Sequence, residues 1–241
     1  MEIHVPIQPV VIFTIFGLPV TNTLLTSWIV ILLLVGFSLL ATRRMQLVPK
    51  GIQNVAEALI EVLLGLAEQV AGSKARSFLP LVATLFLFIL TANWFSVLPG
   101  VGTFAVDGNP LLRNPNSDLS ITAAMALIVF IWVQVVGLRS SVKAYFLKFV
   151  FPIPLLEILT EISRPLSLAL RLFGNLLAGY ILVEVMLQIA PIVIPAIFIG
   201  LEVGVGLIQA LIFAILTLAF LSLAGAHGHS EGHAEAEHSA H

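Results

Sequence analysis

Arg164 to Gly179 reads RPLSLALRLFGNLLAG. Its reading decides the fold, because it sets two arginines inside a run, residues 155–190, that is otherwise fit for lipid. As one continuous helix that run is about 54 Å long, against a hydrocarbon core of about 30 Å. The next apolar run, residues 196–224, would be about 43 Å long. Between them lies PIVIP (191–195), whose prolines remove backbone donors and stop a helix. Two upright spans of these lengths do not fit. The expectation is a long, steeply tilted helical hairpin, since the mismatch exceeds what ordinary tilt absorbs.

Outward from that hairpin the rest of the chain has the same character. Of 241 residues, 59% are hydrophobic and 10% charged, with a mean hydropathy of +1.08, far outside the range of a soluble domain. A net charge of -2 gives no basic footprint for nucleic acid. The absence of cysteine removes disulfides, thiolate metal sites and cysteine nucleophiles together. The first residues lack a basic n-region and carry Pro6, Pro9 and Pro19, so they do not read as a cleavable signal peptide.

Residues 23–42 make a first span of about 30 Å, ended by Arg43 and Arg44. Residues 50–72 repeat apolar side chains at Ile52, Val55, Leu59, Ile60, Leu63, Leu66 and Val70, with Glu57, Glu61 and Glu68 elsewhere, which predicts an amphipathic interfacial helix. Spans at 78–98 and 119–138 form a hairpin about a loop rich in Gly, Pro, Asn and Asp. Their Trp94 and Trp132 fit interfacial anchors or packing equally well. The predicted fold is therefore an all-α membrane protein, five embedded helices plus one interfacial helix, as a single domain over 1–226 with a polar, histidine-rich tail at 227–241. Arg43, Arg44, Lys50, Lys74, Arg76, Arg139, Lys143 and Lys148 fall on one side and only Arg113 on the other. By the retention of basic residues in the cytoplasm, the N-terminus and the loop around Asp107 are expected outside and the tail inside.

Within the long runs, Glu157, Arg164, Ser167, Arg171 and Asn175 fall in one stripe about 80° wide on a helix turning 100° per residue. Glu202, Gly206, Gln209 and Phe213 stack likewise, suggesting two facing surfaces of a hydrated path. Glu184 and Tyr180 point away from the arginine stripe. A guanidinium at a helix centre costs about 2.5–3.5 kcal/mol and does not lose its proton, so Arg171 needs water or an anion. One reading makes it a permanent interhelical lock to Glu184 or Glu202. The other makes the charge itself functional. Gln209 fits helix joining as well as transport, and Gly200 with Gly204 fits close packing.

SRPLSLALRLFGNLLAG (163–179), followed by GLIQALIFAILTLAFLSLA (206–224), resembles subunit a of the F-type ATP synthase. The basic turn after the first span, ANWFSVLPG (92–100) and the polar tail extend the likeness along the chain. The resemblance implies that Arg171 is the arginine that faces a rotating ring of c subunits. Asn175 and Gln209 match polar positions of the family, and Glu202 occupies the place of a protonatable histidine or glutamate. Arg164 and Glu157 match polar positions leading to the cytoplasm, with Ser167 beside them. Together these imply two offset proton half-channels in a non-catalytic stator subunit, partnered by the c-ring, the peripheral-stalk b subunits and the remaining F1FO complex, in a bacterial inner membrane. There are departures. Tyr180 stands where many members have an acid or histidine, with Glu184 one turn later, and Ser96 stands where some carry an acid.

Two other readings compete. A self-contained secondary transporter or channel would also have midplane charges, but no inverted repeat stands out. GHSEG (228–232) matches a hydrolase elbow formally, yet lies in a polar tail without the strand and helix that such an elbow requires. Five of the six histidines sit in that tail at irregular spacing, so no metal or cofactor is expected. No glycine loop of the phosphate-cradling kind is present.

Overall fold

The structure is a computed structural model, which describes residues 9–15, 17–98, 101, 105–106, 109–140, 154–189 and 193–226. Six α-helices stand among the described residues: α1 (Asn22–Thr42), α2 (Ile52–Ala71), α3 (Ala75–Val97), α4 (Leu119–Ser140), α5 (Pro154–Ile189) and α6 (Val193–Ala226). Five stretches are long and apolar enough to cross a membrane, α2 and α3 counting as one continuous stretch. The chain is an all-α membrane protein, as its composition requires. Asp107, Lys143, Lys148 and the tail from 227 lie outside the described residues.

Both members of the final hairpin are long, 36 residues for α5 and 34 for α6, or about 54 and 51 Å. The second exceeds its expected length because PIVIP does not stop a helix throughout. Val193, Ile194 and Pro195 already belong to α6. A proline in the first turn loses only an N–H that has no intrahelical acceptor there, so Pro195 is tolerated.

The core is where α3 lies along α6, with α4 packed against α5 and α6. Phe78, Val82, Phe86 and Ile89 of α3 meet Phe213, Leu218 and Leu221 of α6 together with Leu168, Leu172 and Leu176 of α5, all buried. Outward-facing positions are equally apolar: Leu32 and Leu39 of α1 and Ile128 and Ile131 of α4 are exposed, as lipid contact demands.

Gly51 and Gly72, at φ +58° and +53°, bound α2 in a backbone conformation that side chains disfavour. The three glutamates of α2 are exposed as expected, and Leu59, Leu63, Ala67 and Val70 pack inward. Ile52, Val55 and Ile60, read as part of the same apolar face, are exposed. The apolar arc of α2 is wider than its packed face, and its outer edge is available to lipid.

Sequence reading assigns no element before residue 23, yet β1 (Val11–Ile15) and β2 (Leu18–Thr21) pair antiparallel around Gly17 at φ +82°. β-branched Val11, Ile12, Thr14 and Ile15 favour the strand. A second, two-residue pairing joins β3 (Ala105–Val106) to β4 (Asn109–Pro110). Asn22 ties the first hairpin to this loop: its Oδ1 accepts from the Val10 amide and its Nδ2 donates to the Pro110 carbonyl. Thr21 caps α1 by accepting from the Leu24 amide.

Candidate functional site

On α5, Leu168, Leu172 and Leu176 turn into the core while Ser167, Arg171 and Asn175 are exposed. The spacing of the buried leucines forces this: residues four apart share a face, so the polar triplet is carried to the other side. Among the described residues no ion pair or hydrogen bond engages the Arg171 guanidinium. A lock to Glu202 is therefore not formed. The side chains of Glu157 and Glu184 lie outside the described residues, and only their positions along α5 are known.

Arg164 leaves the stripe. It is half-buried, with its guanidinium 5.5 Å from the centre of the Phe220 ring of α6 and 3.8 Å from Glu161 Oε2. Glu161, which sequence reading did not single out, is buried, and its Oε1 accepts from Gln134 Nε2 of α4 at 2.6 Å. Its signal was an acid three residues before an arginine inside an apolar helix, the spacing of a helical ion pair.

The polar strip of α6 faces inward. Gly206, Gln209 and Phe213 are buried and Glu202 is half-buried. The Glu202 carboxylate lies against Gly179 of α5, where an added Cβ would come within 3.7 Å of Oε1. Gly179 is eight residues past Arg171, about 12 Å along the helix. The two strips therefore do not face one another directly: one points out of the bundle and the other into it.

The segment between α3 and α4, expected as a loop, is buried over Arg113–Asp118. Its side chains find partners on several helices. Asn116 Nδ2 donates to Asn93 Oδ1 of α3 at 2.8 Å, and Asn93 Nδ2 donates to the Gly206 carbonyl of α6 at 3.1 Å. Asn114 Nδ2 donates to Ser96 Oγ at 3.0 Å, and Thr23 of α1 donates to Asp118 Oδ2 at 2.7 Å. Trp94 is exposed and its indole donates to the Val203 carbonyl of α6 at 3.2 Å, a tie between α3 and α6. Asn116 Oδ1 is buried without a hydrogen-bond partner, the kind of acceptor that water ordinarily satisfies.

Arg113 closes this polar layer. Its Nε donates to Ser117 Oγ and its guanidinium lies 5.1 Å over the ring of Tyr180, a cation–π contact. Burial pulls its pKa below the ordinary guanidinium value, and nearby Tyr180 and Asp118 offset part of that. Tyr180 thus points away from the arginine stripe, as its wheel position predicts, and lies under the basic residue of the α3–α4 segment. An asparagine inside an apolar span (Asn93) was a signal for this layer; its partners in the loop left none. No cluster of His, Asp and Glu suited to a metal occurs among the described residues.

A model of the family described as "ATP synthase A chain" matches residues 24–222. The ATP synthase subunit a of Moorella thermoacetica is 37% identical over 227 residues, covering 92% of this chain and 99% of that protein. That of Gloeobacter violaceus is 39% identical over 204 residues, with 83% and 82% covered. Subunit a 1 of Syntrophotalea carbinolica is 36% identical over 203 residues, with 81% and 82% covered. With the family match running from α1 into α6 and five stretches apolar enough to span a membrane, the chain belongs to the ATP synthase A chain family, as a multi-pass integral membrane protein and a non-catalytic subunit of the FO sector.

Proposed function

We propose that this proton-translocating stator subunit works through two half-channels that meet at Arg171, one loading and the other unloading carboxylates on a ring of c subunits. The coarser role, within the F1FO complex, follows from the family. One observation carries the finer reading: α5 holds the Arg171 guanidinium on the outside of the bundle, unengaged by the described residues of its own chain. A charge so placed in lipid needs an anion from a neighbour.

At an effective dielectric near 20, a rotor carboxylate at about 4 Å is attracted by roughly 4 kcal/mol, which drives off the proton it arrives with. The same fixed charge repels a passing proton and so keeps the half-channels apart. On the inlet side the reading uses Glu202 and Gln209, reached through the Asn93–Asn116 layer, with Glu184 nearby on α5. On the outlet side it uses Ser167, Arg164 and Glu157. Offset between the two makes ring rotation obligatory for net flow. Each elementary charge crossing about 100 mV delivers about 2.3 kcal/mol, so several are needed per ATP. The N-terminus and Arg113 layer then lie outside a bacterial inner membrane, and the peripheral-stalk b subunits brace the stator.

The test is Arg171→Ala in the assembled complex. Proton-driven ATP synthesis in inverted vesicles should fall by at least about 100-fold with subunit composition unchanged. Normal synthesis would overturn the reading. Ion flux through this chain alone in liposomes would favour a self-contained transporter.

A further inference from the structure

We infer that Glu161, held between Gln134 and Arg164, is a proton-relay acid on the outlet side. The inference rests on the half-channel reading and adds to it a residue that lies off the Arg171 face.

Glu161 precedes Arg171 by ten residues, about 15 Å along α5 and roughly 80° around it. That places it toward the helix end expected at the cytoplasm, on the buried side. It is 5% exposed, and Val129, Val133, Leu168 and Phe220 surround it with apolar surface. An acid in such a setting is a functional candidate by default.

Two of its polar contacts are with Gln134 of α4 and Arg164 of α5. Gln134 grips Oε1 at 2.6 Å, which fixes the plane of the carboxylate. Oε2 lies 3.8 Å from Arg164 Nη1, beyond a direct hydrogen bond. Both residues line a cavity of about 10 Å³, at the lower bound of what holds one water. A polar gap of this length beside such a cavity is where a bridging water fits. A hydronium arriving there gives its proton to Oε2 and leaves water. The neutral acid then passes that proton to the next water toward the surface, and the carboxylate is restored. Arg164, half-buried between the Glu161 face and the Arg171 stripe, lines the same cavity with its guanidinium toward Glu161.

The experiment compares Glu161→Gln and Glu161→Asp in full F1FO complexes, reading passive proton conduction in vesicles after F1 is stripped. The amide keeps the size of the side chain and still accepts from Gln134, but cannot carry the proton. Conduction is expected to fall about 10- to 100-fold in Glu161→Gln with the complex intact, and to recover in part in Glu161→Asp. Wild-type conduction in Glu161→Gln would overturn the relay. So would equal loss of assembled complex in both variants, which marks a clamp between α4 and α5. Arg171→Ala, run alongside, separates the two failures: uncoupling there with normal conduction in Glu161→Gln removes the relay alone, and retained coupling there removes the half-channel reading itself.

Discussion

Arg171 sits between Leu170 and Leu172, and only one of the three is turned into the core. Leu172 is fully buried, whereas Leu170 and Arg171 are exposed. Exposure in lipid suits the leucine and not the arginine, so the arginine is the residue that implies a neighbour. Glu202 is the opposite case, an acid drawn inward against Gly179. On the half-channel reading it hands protons inward, and Glu202→Gln should slow passive proton flux about tenfold while leaving assembly unchanged. Unaltered flux in F1-stripped vesicles would remove it from the path. Legibility differed among these residues. Arg171 is conspicuous because a permanent charge is expensive in any lipid-facing helix, whatever it touches. Glu161 is inconspicuous in the sequence because a partner that holds it, Gln134, lies 27 positions earlier on another helix.

Between elements, the contact of α3 with α6 is set by glycine. A Cβ at Gly206 would lie 3.0 Å from the Asn93 Cβ and 3.3 Å from its Nδ2, closer than side chains normally approach. Gly206→Ala should therefore force the helices apart or break the Asn93 bond to the Gly206 carbonyl, costing about 1–3 kcal/mol. Gly179→Ala is the control, since its Cβ would meet Glu202 at an ordinary 3.7 Å. Its expected effect lies within about 0.5 kcal/mol. Thermal melting of the detergent-solubilised complex measures both, and equal melting of the two variants would show that the close approach at Gly206 is relaxed without strain. Helix lengths and most boundaries were legible from hydropathy, because an apolar run of given length has few options in a bilayer. The first turn of α6 was not, because a proline stops a helix or starts one according to its position.

Over the whole molecule, the basic turns and the buried Arg113 layer lie at opposite ends of the bundle's expected topology. The chain contains no cysteine, so single substitutions report on sidedness without background. Leu47, in the turn after α1, is fully exposed, and Val11 of β1 is exposed at the other end. Leu47→Cys should react with a membrane-impermeant maleimide only from the cytoplasmic face, and Val11→Cys only from the outer face. Labelling of each from the opposite face would reverse the assigned topology, and labelling of both from one side would overturn it.

Composition and run length alone determined that this chain crosses a membrane several times, and the desolvation cost of charge alone marked Arg171, Glu202 and their neighbours as exceptional. Resemblance within the final two runs pointed to the family. What only the tertiary structure decided is which surface of each helix turns inward. In a soluble helix, polarity separates the two faces; here core and lipid are equally apolar, so periodicity carries little information about packing. Contacts between distant elements decide it instead. They bury Asn116 against Asn93, turn Arg164 toward Glu161 and Phe220, and leave Arg171 outside.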